Sequence, residues 1–320
     1  MPTLNPPDRT SNSQDSRLSL LARARYLTRL AAMHVARLVR PEDLQHLADE
    51  IEGYRDTYAR LTGRSLRDAK VLELGFGQRP FRLLLMASLG YDVTGIDLDQ
   101  PLVRLTRANL RALWERNGFV RTGKSALRRL VFDGAEYRNL DRLVRHLTGR
   151  PLALDTSRLV VGDASAPATW DRAGGRFDFI YSEDVFEHIP REQLPAVVDL
   201  MSERLSPDGL AIVSPMIFTG ISGDHNPDWY HHRVDAADAA RSPAWGHLTG
   251  EAVPADTFLN RMSRAEFRSL FQRRFVIEEE TAVFGDLGRR HLTPERAERL
   301  AAYPPDELFS NKVRFVLRRA

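Results

Sequence analysis

The spacing of apolar positions changes several times along the chain, and each change marks an element. Residues 1–16 carry Pro, Ser, Asn and Asp with few apolar side chains, which predicts a disordered arm. From Arg17 onward Leu18, Leu21, Leu27, Leu30, Val35 and Leu38 recur at roughly helical spacing between arginines, so an amphipathic helix is expected to about Val39. Pro41-Glu42-Asp43 opens a second helix, because proline fits a first turn and acids favour its positive end. Leu44, Leu47, Ile51, Tyr54 and Leu61 form its apolar stripe and Gly63 its stop. Residues 17–66 therefore read as a helical N-terminal lid.

Short apolar runs then take over. Lys70–Leu74 reads as a strand closed by Gly75-Phe76-Gly77, Phe81–Leu89 as a helix ending at Gly90, and Tyr91–Ile96 as a second strand. A helix over Leu102–Trp114 precedes a third strand, Ser157–Val161, and a fourth, Phe177–Tyr181. The helix Arg191–Leu205 leads through the turn Ser206-Pro-Asp-Gly209 into the strand Leu210–Ser214. Ser263 and Glu266 form a capping box for a late helix, and Phe275–Glu279 and Lys312–Arg318 close the series as strands. Strands alternating with helices predict an α/β fold: a doubly wound, mainly parallel, seven-stranded sheet. Its domain spans residues 67–320, with cap insertions at about 117–157 and 216–261. Sheets of this kind bind ligands beyond the carboxyl ends of their strands, so both insertions are expected to shape a pocket.

Composition narrows the chemistry. With 42% hydrophobic and 28% charged residues the chain is ordinary globular material. The absence of cysteine excludes disulfides, thiolate metal sites and cysteine nucleophiles. No apolar run approaches the ~20 residues of a membrane span, and the N-terminus lacks a secretory pattern, so a cytoplasmic location is expected with no membrane partner. The 46 basic residues exceed the 43 acidic ones by only three, and just Lys70, Lys124 and Lys312 are lysine. They do not cluster, so no nucleic-acid partner is expected.

The chemistry concentrates in V71-L-E-L-G-F-G-Q-R-P80 followed by Y91-D-V-T-G-I-D-L-D99. Gly75 and Gly77 allow a sharp turn and close approach of a ligand. Asp97 stands 20 residues after Gly77, where a carboxylate can accept hydrogen bonds from a ribose diol. A dinucleotide fingerprint would require glycine where Pro80 stands, and no lysine-bearing phosphate loop occurs. The pocket suits a nucleoside without phosphates.

These residues resemble class I S-adenosylmethionine-dependent methyltransferases of the small-molecule branch. Glu73, Gly75 and Gly77 match the first motif, with Arg79 in place of its third glycine. Asp97, with Leu98 beside it, matches the ribose-binding acid, and Val161-Gly162-Asp163-Ala164 matches the segment that meets adenine. F177-D-F-I-Y-S-E-D-V-F-E-H-I-P190 resembles the fourth strand and its loop, including Ser182, and Leu205-Ser-Pro-Asp-Gly209 the following turn. The resemblance covers about 67–216 and 260–318 and implies S-adenosylmethionine bound by Glu73, Gly75, Gly77, Asp97, Leu98, Asp163, Ala164 and Ser182. It implies methyl transfer to a small molecule. A hydroxyl acceptor asks for a general base, and His188 and His225 are the candidates. Trp229, Tyr230 and His231 could clasp the acceptor. No metal is assigned, although Asp224, His225 and His231 form a conceivable ligand set. A sugar or secondary-metabolite hydroxyl fits best, with an N-methyltransferase or a non-catalytic binding protein as alternatives. A homodimer stays open.

Overall fold

A computed structural model describes Thr28 and residues 44–320 apart from 104, 108, 112, 116–121, 124–125, 127–128, 130–132, 236–241 and 252–256. The expected arm and almost all of the first N-terminal helix lie outside the described residues. The second helix is α1, Gln45–Thr62, stopped by Gly63 in the left-handed conformation. Strand β1, Lys70–Leu74, leads to α2, Phe81–Ser88, and then to β2, Asp92–Asp97. Next come α3, Gly134–Thr148; β3, Leu159–Val161; α4, Pro167–Ala173; β4, Phe177–Glu183; and α5, Leu194–Arg204. Strand β5, Leu205–Ser214, is followed by α6, Gly246–Thr249, and α7, Arg264–Phe271. Strand β6, Phe275–Ala282, two short helices α8 (Pro294–Arg299) and α9 (Pro305–Leu308), and β7, Val313–Arg319, complete the chain.

The seven strands form one sheet in the order β3-β2-β1-β4-β5-β7-β6. Strands β1 to β5 pair in parallel, and β7 runs antiparallel to both β5 and β6. Successive strand residues enter opposite faces, as pleating requires. Val71, Val93, Phe179, Tyr181 and Ile212 pack with α1, α2 and α3, whereas Leu72, Ile96, Ile180, Val213 and Phe315 pack with α4, α5 and α7. A third cluster, with Trp229, Trp245, Leu300 and Phe309, builds a cap from the second insertion and the segment after β6.

Four expectations need correction. The interval 117–157 is not simply a loop, because α3 fills much of it and buries Tyr137, Leu140 and Val144 against the sheet. Helix α1 does not lie over the pocket as a lid: the Tyr54 ring lies tilted 5.0 Å from Tyr181 and Tyr58 lies 5.8 Å from Phe179, so it forms part of the core layer. The turn Ser206–Gly209 occurs inside β5 rather than before it. Phe177 pairs with Leu205 and Phe179 already pairs with Leu210, so these residues bulge from the ladder. Finally, the hydrophobic pattern predicts no helix at α8 or α9; at six and four residues each is too short to carry a helical period.

Candidate functional site

The strand order sets the loops after β3, β2, β1 and β4 side by side at the carboxyl edge of the sheet. It also reverses direction between β1 and β4, where ligands bind in such folds. Backbone bonds fix this row. The Gly75 N–H donates to the Ile96 carbonyl at 2.7 Å, and the Gly162 N–H donates to that of Asp97 at 2.8 Å. Gly75 has φ 89°, and a β-carbon there would lie 2.2 Å from a Val185 methyl. Gly75 is therefore glycine because the loop after β1 presses on the loop after β4. Gly77, at φ 64°, has open space where a β-carbon would point, which leaves room for a ligand.

Asp97 closes β2 and binds the glycine loop directly. Its Oδ2 accepts from the Gly77 N–H at 2.7 Å, and its Oδ1 accepts from the Asp99 N–H at 2.7 Å. Each oxygen keeps a second lone pair for a ribose hydroxyl. Burial pushes this carboxyl up to about 6 against the pull of those two amides. Leu98, half exposed beside it, offers an apolar face at the pocket rim. Glu73 lies deeper, 3% exposed, with its Oε2 lacking a hydrogen-bond partner. Burial raises it to about 8, with Arg82 acting in the opposite direction. An orphaned acid, an acid-and-glycine loop and open space above Gly77 fit a nucleoside that also carries positive charge, as S-adenosylmethionine does.

Other residues expected at the cofactor are placed differently. Asp163 is exposed, and its Oδ1 accepts from both the N–H and the hydroxyl of Ser165, so one oxygen serves as a turn cap. Ala164 uses its carbonyl to accept from the Trp170 indole at 2.8 Å. Ser182 is only 1% exposed and donates to the Leu74 carbonyl at 2.8 Å. Its hydroxyl ties β4 to β1 instead of reaching the pocket. Arg79, which replaces the third glycine, ion-pairs with Glu136 and lies 3.4 Å from Asp133. It anchors the glycine loop to α3, a role hidden from sequence reading because 57 residues separate the partners.

The loop after β4 brings the two candidate histidines together. Phe186–His188 forms a single 3-10 turn, and the rings of His188 and His225 lie 5.0 Å apart. Glu187, 3% exposed, immediately precedes His188 and has its Oε1 3.9 Å from His225 Nε2. His188 Nδ1–H donates to the Phe258 carbonyl at 2.9 Å, which puts the lone pair of the neutral ring on Nε2. Burial and the neighbouring His188 lower His225 to about 4, so its ring is neutral near pH 7. His225 holds a left-handed backbone, φ 59°, and so does Asp184 at 57°. Such strain persists only where surrounding contacts enforce it. Asn260 provides one such brace: its side-chain amide donates to the carbonyls of Phe186 and Ile189 at 2.7 and 2.9 Å. Neither Glu187 nor Asn260 was singled out from the sequence, although Glu187 immediately precedes His188.

The remaining candidates disperse. Trp229 is buried in the cap cluster and packs 5.0 Å from His291. Tyr230 meets His232 at 5.9 Å, and His231 stacks on Phe284 at 4.4 Å. Trp229 thus belongs to the cap core, whereas Tyr230 is half-buried and His231 and His232 are exposed. Asp224 lies 3.7 Å from His247 and accepts from the Asn226 N–H, so the set Asp224, His225 and His231 does not converge. A polar chain supports the floor beneath: Glu183 accepts from Tyr54 and Ser214, and Lys312 pairs with Glu183 at 2.8 Å and Asp184 at 2.9 Å.

Residues 44–274 match the model of a family described as a methyltransferase domain. No curated protein matches in sequence. Among solved structures, an S-adenosylmethionine-dependent methyltransferase from Clostridium acetobutylicum is 11% identical, covering 91% of this chain and 98% of its own, at TM-score 0.44. The PH0226 protein of Pyrococcus horikoshii is 15% identical over 85% of this chain and 91% of its own, at TM-score 0.42. A glycopeptide N-methyltransferase, MtfA, complexed with S-adenosylhomocysteine, is 14% identical over 83% and 89%, at TM-score 0.38. No described helix is long and apolar enough to cross a membrane. By its family match and its strand order, the chain belongs to the methyltransferase-domain family and is a class I, S-adenosylmethionine-dependent member of it.

Proposed function

We propose that this methyltransferase methylates a hydroxyl of a small molecule, and that His188 and His225 receive that hydroxyl. The observation that carries this reading is the histidine pair itself, 5.0 Å apart, beside buried Glu187. His188 lies on the loop whose Val185 leaves no space for a β-carbon at Gly75. The acceptor side is thereby adjacent to the glycine loop that would hold the cofactor. When bound, S-adenosylmethionine supplies a methyl group already activated by its sulfonium. The chain's own residues have three tasks. Asp97, Gly77 and Leu98 hold the nucleoside, and Glu73 offers a carboxyl toward its positive end. The cap cluster around Trp245 shields the acceptor side from water. Neutral His225 would then take the hydroxyl proton as the new C–O bond forms and the methyl–sulfur bond breaks, with S-adenosylhomocysteine as the leaving group. An imidazole near 4 is a weak base, so the transfer becomes favourable only late, as the hydroxyl turns acidic.

The test is calorimetry with S-adenosylhomocysteine, followed by methyl-donor turnover over a panel of small hydroxyl and amine acceptors. Cofactor-product binding lost in Asp97→Ala, together with labelling of a hydroxyl that falls about 10²-fold in His225→Ala, is the expected outcome. Labelling confined to amines would overturn the O-methylation reading and leave the cofactor site standing.

A further inference from the structure

The acceptor side contains an uncompensated electrostatic feature. Glu187 is 3% exposed, and neither of its carboxylate oxygens has a hydrogen-bond partner. Backbone N–H groups of Glu187 and Met216 approach it without reaching hydrogen-bond geometry. His225 Nε2 is likewise buried and unpartnered. Buried carboxylates in folded proteins are ordinarily paired, hydrogen-bonded or bound to a metal. The nearby cation does not serve here, because Lys312 is engaged by Glu183 and Asp184 at 2.8 and 2.9 Å.

We propose that Glu187, His188 and His225 form a binding site for one divalent transition-metal ion. One ligand atom from each residue lies within 4.8 Å of the others, and the Glu187–His225 pair is already at 3.9 Å. Ligands about 2.1 Å from a shared ion stand roughly 3.0–3.4 Å apart, so the last pair closes by less than about 1 Å on binding. The supporting contacts are those that metal-bound histidines need. The Phe258 carbonyl accepts the Nδ1–H of His188 and thereby fixes its tautomer, and Asn260 clamps the turn carrying Glu187 and His188. His225 is delivered from the other side by a left-handed backbone held within the cap.

Donor chemistry selects the ion. Two imidazoles and one carboxylate suit zinc, manganese, iron or cobalt, whereas magnesium and calcium prefer oxygen ligands throughout. Three protein ligands leave coordination positions open, as catalytic sites do and structural ones do not. An ion there would withdraw charge from an incoming hydroxyl oxygen and make it acidic without a protein base, since a His225 nitrogen bound to the ion has no lone pair left to take the proton. That role rests on the O-methylation reading above; the binding of the ion does not.

The experiment uses the full chain, stripped with a chelator, and titrates it with Zn²⁺, Co²⁺ and Mg²⁺ by calorimetry. Cobalt adds visible absorption bands that report histidine ligation. One equivalent of Zn²⁺ or Co²⁺ should bind with weak or no response to Mg²⁺. Glu187→Gln and His225→Ala should each weaken binding at least about tenfold, while His146→Ala on the exposed face of α3 leaves it unchanged. S-adenosylhomocysteine affinity within about twofold of wild type shows that each variant is folded. Equal metal affinity in the two site variants, or no stoichiometric binding by the wild type, overturns the proposal. Metal binding intact with only amines methylated sinks O-methylation and sustains the site.

Discussion

Asp97 makes cofactor affinity depend on pH in a direction that can be worked out in advance. Its carboxyl is raised to about 6 by burial, against the lowering effect of the Asp99 and Gly77 amides. The fold therefore disfavours its charged form. At neutral pH this costs stability, and the cost is relieved as pH falls through about 6 toward the unfolded value of 3.8. Binding a ribose diol runs the other way, because two hydroxyl donors require the carboxylate. With a midpoint near 6, about nine-tenths of the protein is ionised at pH 7 and about one-tenth at pH 5. Affinity for S-adenosylhomocysteine should thus fall roughly tenfold across that window, while this group's cost to stability shrinks. Glu73, at about 8, and His225, at about 4, titrate outside it. Calorimetric titrations at half-unit pH steps, with a melting curve at each, provide the assay. Asp97→Asn should bind weakly and without pH dependence over the same range. A flat wild-type profile, or a slope surviving in Asp97→Asn, would refute the assignment of this carboxylate to the ribose.

Three further outcomes follow from the packing. Gly75→Ala combines a positive φ of 89° with a methyl 2.2 Å from Val185, so about 2–4 kcal/mol of stability should be lost on chemical denaturation. Adding Val185→Ala should restore only part, since the backbone strain and the Val185 β-carbon at 2.9 Å both remain. Arg79→Met leaves Glu136 and Asp133 buried beside an apolar chain and should cost about 1–3 kcal/mol; hydrogen exchange should show α3 opening more readily than α5. Asn260→Ala removes the clamp on the Phe186–Ile189 turn, and turnover should fall more than about tenfold with cofactor affinity nearly unchanged. A parallel loss of both would instead mark Asn260 as a general stability residue.

The opposed shifts of neighbouring groups also bear on how the site works. Glu73 is pushed toward its neutral form by burial, and His225 is held neutral by burial as well. Before ligands arrive the pocket's charge thus lies on the Asp97 carboxylate and on the floor, where the single ammonium of Lys312 pairs with both Glu183 and Asp184. A positively charged cofactor would draw Glu73 back toward the carboxylate. Cofactor binding and proton release should therefore be coupled near pH 8, which buffer-dependent calorimetric enthalpies would reveal.

Local chemistry along the chain was enough to specify the sheet and the cofactor edge. Short apolar runs bounded by glycine and proline define strands whatever surrounds them, and Gly75, Gly77 and Asp97 act through backbone geometry within a single β-loop-α-β unit. Their meaning survives in one dimension because their partners are near neighbours in sequence. The acceptor side is different. His188 and His225 could be nominated by residue type, but their convergence on Glu187 depends on the parallel pairing of β4 with β5 and on a cap held by Asn311 and Asn260. Likewise, Ser182 and Trp229 have the right chemistry in the right segments, yet burial spends one on the Leu74 carbonyl and the other on the cap core. Arg79 shows the same limit, since its partners lie on a helix that enters 55 residues later. Periodicity and turn chemistry fix which backbone forms; only packing decides which polar groups are satisfied and which are left to meet a ligand.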